Sequence, residues 1–397
     1  MRVSLGERLS AMHKIPLLQN LSWLMVAEVL SRLSRIVTLF VLAAYFTNEQ
    51  YGAAMLALLI HELFRVFTRI GAGAKIIQCA DKELVSILGN ASTLQWCVAL
   101  LVAVAQIMMA SMIARFYDMP QLESLIELMA LSHLFYPMVA TRIFEQHREN
   151  QMRYYGVASG ACIAFENLFT ALLAFGGLGI FSVAIAKLSA SIFWVCLFYR
   201  LPTQVTSLAL NLKEQRDLIR FSFATLTSEL SRMLRFQSDS LIAARLLTPD
   251  QFGLYSFAKS AGLGIAQAFS QAYLSSLYPY MCKQLRSEES KQSNTARNLT
   301  VAICLLFLTQ SLLANVYVVW LFPDRWADAA GFASLLCLVA IPMLVVDHYA
   351  LQFRARNKAW METKIIALSA LWLSIAMLVM KPLSVEHIVN ITVLTSF

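Results

Sequence analysis

The stretch Asn20–Phe46, NLSWLMVAEVLSRLSRIVTLFVLAAYF, decides the fold. Its 27 residues would rise about 40 Å as a helix, which exceeds a hydrocarbon core of about 30 Å. Yet it carries Glu28, Arg32 and Arg35 at helical spacings of four and three, and it leaves through the turn Thr47-Asn48-Glu49-Gln50-Tyr51-Gly52. The same pattern returns at Glu229–Gly253. Glu229, Ser231, Arg232, Arg235, Ala243 and Ala244 precede Thr248, Asp250, Gln251, Phe252 and Gly253, matching Glu28, Ser31, Arg32, Arg35, Ala43, Ala44, Thr47, Glu49, Gln50, Tyr51 and Gly52. Two apolar helices share alanines easily, but the charges and the T-x-acidic-Q-aromatic-G exit point to an internal repeat.

Outward from this stretch, the 397-residue chain is 58% apolar and only 14% charged, well below the share of charge in soluble domains. The apolar residues gather into eleven long stretches and one short one: Asn20–Phe46, Tyr51–Ile70, Ile87–Ala114, Leu122–Ala140, Gly156–Phe175, Leu178–Tyr199, Leu218–Leu247, Gly253–Tyr278, Leu299–Phe322, Ala329–Tyr349, Thr363–Met380 and Ile388–Phe397. Continuous runs of this length do not fit the alternating segments of a membrane barrel, which leaves helices as the spanning structure. The expected fold class is all-α and polytopic transmembrane, with about 12 helices in two repeat-related six-helix lobes around a central cavity. The expected divisions are a cytoplasmic N-terminal segment (1–19), an N-terminal lobe (20–200), a cytoplasmic connection (201–217) and a C-terminal lobe (218–397) whose last helix is short. The first stretch is too long and too charged for a cleavable signal. Pro137 and Pro342 predict kinks.

Orientation follows from where Lys and Arg lie in short loops. Arg2, Arg8 and Lys14; Arg69, Lys75 and Lys82; Arg142, Arg148 and Arg153; Arg200, Lys213, Arg216 and Arg220; Lys283, Arg286, Lys291 and Arg297; and Arg354, Arg356, Lys358 and Lys364 fall in alternate connections, together 21 of the 32 basic residues. The opposite loops hold only Arg115, Arg325 and Lys381. Both termini are therefore expected on the cytoplasmic side of the inner membrane. The net charge of +8 is spread over six loops, so it implies no nucleic-acid partner.

Charges inside spans are expensive and mark function. The basic ones are Arg32, Arg35, Arg65, Lys187, Arg232, Arg235, Arg245 and Lys259; the acidic ones singled out with them are Glu28, Glu62, Glu166, Glu229 and Asp239, which leaves a positive excess. The guanidinium fork suits bidentate grip on phosphate oxygens, so Arg32, Arg35, Arg65, Arg232 and Arg235 are the candidate ligands of an anionic headgroup such as a pyrophosphate. Glu28, Glu62, Glu229 and Asp239 are the candidate ion-coupling groups. A purely structural alternative pairs Glu28 with Arg32 and Glu229 with Arg232 within their helices. Lys187 with Glu166 reads as a structural pair, Lys259 as a side chain able to snorkel outward, and His61 as a possible neighbour of Glu62 in a proton relay.

The opening Leu17-Leu18-Gln19-Asn20, the long first span, the Glu49-Gln50-Tyr51-Gly52 turn, the second span closed by Gly71 and the restart at Leu218 with Gln251-Phe252-Gly253 resemble the polysaccharide flippases of the multidrug/oligosaccharidyl-lipid/polysaccharide exporter superfamily. The resemblance implies two six-helix lobes that move undecaprenyl-pyrophosphate-linked oligosaccharide, such as an O-antigen unit, between leaflets, with a proton or sodium gradient as partner. A small-molecule or drug exporter of the same superfamily is the nearest alternative, although cationic cargo would favour an acidic cavity. A polysaccharide-processing enzyme would need polar groups gathered at one membrane face, and the outward loops are short, with no nucleophile-base pair. The seven cysteines show no CxxC or Cys/His clustering, and neither a metal nor any other cofactor is expected. Gly71 and Gly73 lack the spacing of a phosphate loop.

Overall fold

The computed structural model describes residues 16–68, 73, 76, 83–149, 152–204, 208–267, 269–270, 273–274, 277, 281, 294–356, 359–380 and 384–396. Among them the architecture is all-α. The helices are α1 (Pro16–Tyr45), α2 (Asn48–Thr68), α3 (Leu84–Phe116), α4 (Leu122–Ala130), α5 (Pro137–Arg148), α6 (Met152–Phe175), α7 (Phe181–Phe198), α8 (Leu212–Leu246), α9 (Pro249–Lys259), α10 (Asn294–Leu321), α11 (Ala329–Ala355), α12 (Ala359–Met380) and α13 (Val385–Ser396). Seven of these are long and apolar enough to cross a membrane, or eight if the bent pair formed by Leu122–Leu134 and α5 counts as one span. Bulky apolar side chains stand outward along α3 (Leu101, Met108) and α10 (Leu312, Trp320), as expected of helices whose solvent is lipid. The chain is a multi-pass membrane protein.

Helix ends follow local chemistry. Pro137 opens α5 after the 3₁₀ turn Leu131–Leu134, and the helix direction changes by 51° there, where proline supplies no N–H to continue the preceding helix. Pro342, by contrast, lies inside α11, which is assigned as a single helix. Between α6 and α7 the chain turns through Gly177 (φ 85°) and Gly179 (φ 55°), a left-handed region that costs glycine nothing.

The repeated exit motif has a physical explanation in both copies. The Gln50 backbone N–H donates to Thr47 Oγ1 and the Thr47 N–H to Gln50 Oε1, both at 3.2 Å. At α9, the Gln251 N–H donates to Thr248 Oγ1 (3.4 Å) and the Thr248 N–H to Gln251 Oε1 (3.3 Å). Each T-x-x-Q is thus a reciprocal capping box that satisfies two otherwise orphaned donors at a helix start. Thr248→Ala is expected to cost about 1 kcal/mol, seen as a lower melting temperature of the purified protein, while Thr248→Ser leaves it nearly unchanged. Equal melting of the two variants would contradict the capping role.

The chain divides into two compact units. The first comprises 1–38, 61–110 and 123–227. Its cores are the cluster of Ile76, Leu84, Ile87, Leu88, Ala91, Leu94 and Leu218, and a second of Val139, Ile143, Ala158 and Phe198. The connection after α7 is tied into this unit: Thr203 Oγ1 and the Gln204 N–H donate to the Glu145 carboxylate (2.6 and 3.0 Å), the Asn211 N–H donates to Asn90 Oδ1 (2.8 Å), and Gln215 Nε2 donates to the Asn90 carbonyl (2.8 Å).

The second unit comprises 39–60, 111–122 and 228–397. Here α10 lies along α11, which also packs against α9, α12 and α13. The end of α1 and the start of α2 belong to this unit. Trp326, fully buried, donates its indole N–H to the Ala43 carbonyl (2.8 Å), and Arg325 donates to the carbonyls of Ala43 (2.6 Å) and Ala44 (2.5 Å), covering the last turn of α1 with donors and positive charge. Tyr51, Phe257, Phe322 and Trp326 stack around that point, with Phe40 against Phe322.

Candidate functional site

Among the described residues the polar groups of the helices form several sets, each internal to one unit. In the first unit α1 presents Ser31, Ser34 and Thr38 to α6. Asn167 Nδ2 donates to Ser34 Oγ (2.9 Å), and Thr38 Oγ1 donates to the Asn167 carbonyl (2.8 Å). One residue further along the helix is about 100° around its axis, so this buried seam sets Arg32 and Arg35 side by side on its flank. Arg32 is half-buried and Arg35 exposed. The side chain of Glu28 lies outside the described residues.

Glu62 and Arg65 of α2, Glu166 of α6, which adjoins the seam's Asn167, and Lys187 of α7 form a charge cluster. Lys187 Nζ lies 2.8 Å from Glu166 Oε1 and 3.2 Å from Glu62 Oε1, and Arg65 Nη2 lies 2.5 Å from Glu62 Oε2. The expected Lys187–Glu166 pair is present, and Glu62 joins it. Lys187 is nearly buried, whereas the Arg65 side chain is 41% exposed.

His61 does not relay to Glu62; its ring belongs to a different network. Its ring stacks on His133 at 4.5 Å between centroids, and both residues are buried. Gln106 Nε2 donates to the Ile126 carbonyl (2.8 Å), which fixes the amide so that Gln106 Oε1 accepts from His133 Nε2 (2.8 Å). The remaining amide N–H faces His61 Nδ1 (3.4 Å), and His61 Nε2 then donates to Ser132 Oγ (3.3 Å). One glutamine thereby calls for a hydrogen on His133 Nε2 and leaves His61 Nδ1 as an acceptor. No sequence signal short of contact between distant helices could have found this set.

In the second unit Arg235 is sealed. It pairs with Asp347, donates to the Met343 carbonyl (3.4 Å) and has only 6% of its side chain exposed. Arg232 pairs with Glu362 at 3.3 Å and remains 39% exposed. Neither Asp347 nor Glu362 is among the carboxylates singled out from the sequence. The available signal was an aspartate inside the Ala329–Tyr349 stretch, and its presence reduces the positive excess read there. Glu229 is half-buried. Lys259, read from the sequence as able to snorkel outward, instead turns inward: its ammonium meets Asp239 Oδ1 and Oδ2, Ser240 Oγ and the Phe236 carbonyl, because the Asp239 carboxylate is buried and needs a counter-charge.

The five candidate arginines therefore separate by environment. In the first unit Arg35 is exposed and Arg32 and Arg65 are partly exposed, in the second Arg232 is partly exposed, and Arg235 is committed to a buried pair. Among the described residues no group of three or more His, Cys, Asp or Glu side chains could hold a metal ion.

The protein is a multi-pass helical bundle, and solved membrane proteins share its fold. The lipid II flippase MurJ, in an inward closed conformation, superposes with a TM-score of 0.70 at 13% identity, covering 94% of this chain and 84% of that one. A multidrug resistance MATE transporter of the MOP superfamily, in an inward-facing conformation, gives 0.61 at 12% identity, covering 95% and 94%. The family model described as polysaccharide biosynthesis protein matches residues 41–331, and the chain belongs to that family. The succinoglycan biosynthesis transport protein ExoT of Rhizobium meliloti (strain 1021) is 21% identical over 333 residues; the match covers 81% of this chain and 65% of that protein's length.

Proposed function

We propose that the protein is a flippase that carries undecaprenyl-pyrophosphate-linked oligosaccharide, a polysaccharide or O-antigen repeat unit, from the inner to the outer leaflet of the bacterial cytoplasmic membrane by alternating access, with both termini in the cytoplasm. In this reading Arg32, Arg35 and Arg65 of the first unit and, separately, Arg232 of the second are candidates to contact the pyrophosphate, and Arg235 positions helices instead. The observation that carries it is the exposure of Arg35 and the partial exposure of Arg32, Arg65 and Arg232 on long helices, of which α2 is apolar enough to cross a membrane. Arg65 and Arg232 already meet the carboxylates of Glu62 and Glu362, and a phosphate oxygen would be received on the side-chain surface that these pairs leave exposed. Membership of the polysaccharide biosynthesis family supports a glycan-bearing cargo. Net movement draws on a proton or sodium gradient, with Glu28, Glu62, Glu229 and Asp239 as the candidate coupling carboxylates; Glu62 and Asp239 each meet a lysine of the chain itself.

Arg32→Ala and Arg232→Ala, expressed in cells lacking the native gene, are expected to lower surface polysaccharide about tenfold to a hundredfold each, the loss of one charge-assisted contact, with unchanged protein in the membrane fraction. Undiminished polysaccharide in both variants would overturn the assignment. Export of organic cations by the wild type would shift it to a drug exporter, and turnover of a labelled sugar donor would shift it to an enzyme.

A further inference from the structure

Four oxygens surround the Lys259 ammonium: Asp239 Oδ1 at 2.8 Å, Asp239 Oδ2 at 2.7 Å, Ser240 Oγ at 2.8 Å and the Phe236 carbonyl at 2.8 Å. An ammonium has three protons to give, so the shell offers more oxygens than a lysine can bond one-to-one. It is also built independently of the lysine. Three of its donors of oxygen are on consecutive turns of α8, and the carboxylate is further held by the Tyr255 hydroxyl, which donates to Asp239 Oδ2 at 2.5 Å from a fully buried position. Four oxygens with a single net negative charge, shielded from lipid, are the surroundings that a hard monovalent cation requires.

Lys259 reaches this shell from a defined place. It is the last residue of α9 before the π turn Ser260–Gly264, where the helical register slips. The turn is held from α10: Gln310 Nε2 donates to the Gly262 carbonyl (3.0 Å) and Tyr317 donates to the Ala261 carbonyl (2.9 Å). On the opposite side the backbone presses on α11, where a side chain at Gly262 would come within 2.4 Å of the Ala333 carbonyl. The ammonium is thus delivered by a fixed backbone.

We propose that Asp239, Ser240 and the Phe236 carbonyl form a monovalent-cation seat in the second unit whose resident cation is the chain's own Lys259. The second unit then needs no free sodium or potassium at this point, and the seat becomes a site for a free ion only when the lysine is removed. This holds whether or not the cargo is a lipid-linked glycan.

The test is thermal unfolding of the purified full-length protein in detergent, with sodium or potassium chloride varied from 1 to 100 mM against N-methyl-D-glucamine chloride at constant ionic strength. The melting temperature of the wild type should be the same in all three salts. Lys259→Ala should gain about 4 °C across the titration with sodium or potassium and nothing with the organic cation, as expected for one weak site. The double variant Asp239→Asn with Lys259→Ala, which has neither charge, should be flat. A cation-dependent wild type, a single variant indifferent to sodium and potassium, or a single variant that cannot be isolated even in 100 mM of either salt while the double variant can, would each overturn the proposal. Loss of both variants would also overturn it, since the seat is held to be built without the lysine. None of these readouts depends on transport, so failure here is separable from failure of the flippase assignment.

Discussion

Gly253→Ala is expected to be among the most damaging single-methyl changes in this protein. A Cβ at that position would sit 1.8 Å from the Asn48 carbonyl oxygen and 2.4 Å from its carbon, and both obstacles are backbone that cannot rotate away. Gly253 and its repeat counterpart Gly52 meet where α2 and α9 cross, with the Gly253 N–H nitrogen 2.9 Å from the position of a Cβ on Gly52. Relief demands that one helix withdraw by more than an ångström, together with the surrounding aromatic packing of Tyr51, Phe257 and Trp326. Overpacking against a rigid neighbour costs about 3 kcal/mol, the upper end of its usual range. Gly52→Ala meets its obstacles at 2.9 to 3.1 Å and should cost less. Thermal unfolding of the two variants gives the order directly; Gly52→Ala being the worse would show that the crossing is not the close contact described.

Asp347→Ala should be comparably severe for a different reason. It leaves the Arg235 guanidinium, 6% exposed, without its carboxylate in a low-dielectric interior. Removing one partner of a buried pair costs about 3–5 kcal/mol, most of it the desolvation of the charge left behind. The double change Arg235→Met with Asp347→Leu removes both charges and should recover most of the stability, because the pair's own attraction barely exceeds what its burial cost. Glu362→Ala is the internal control. Its partner Arg232 is 39% exposed and can rehydrate, so the loss should be about 1 kcal/mol or less. Equal melting of Asp347→Ala and Glu362→Ala would refute the distinction between a sealed arginine and an accessible one.

That distinction bears on the cargo as well. Arg232 and Arg235 are matched by Arg32 and Arg35 in the sequence repeat, and on sequence grounds all four are equivalent ligands for an anion. The packing of α8 against α11 and α12 makes them different: one guanidinium is spent on Asp347, and the others retain surface.

Spans, helix ends and the repeat were legible in the residues alone. The eleventh stretch, Thr363–Met380, lies within α12 (Ala359–Met380), a candidate span, whereas the seventh, read as Leu218–Leu247, overlaps α8 (Leu212–Leu246), which is helical but not among the helices apolar enough to cross a membrane. The T-x-acidic-Q turns read as repeats are capping boxes in both copies. Such features are local: hydropathy over some twenty residues, caps over four and proline over one turn act without reference to the rest of the chain. Even there context intervened, for Pro137 coincides with a 51° bend while Pro342 is accommodated inside α11.

What the residues alone could not supply is who neutralises whom. Asp347 for Arg235, Lys259 for Asp239, and Gln106 between His61 and His133 are choices among helices separated by 20 to 112 positions. A buried charge must find a partner, and that necessity is written in composition; the partner's identity depends on which helix faces meet, which only the packed bundle determines.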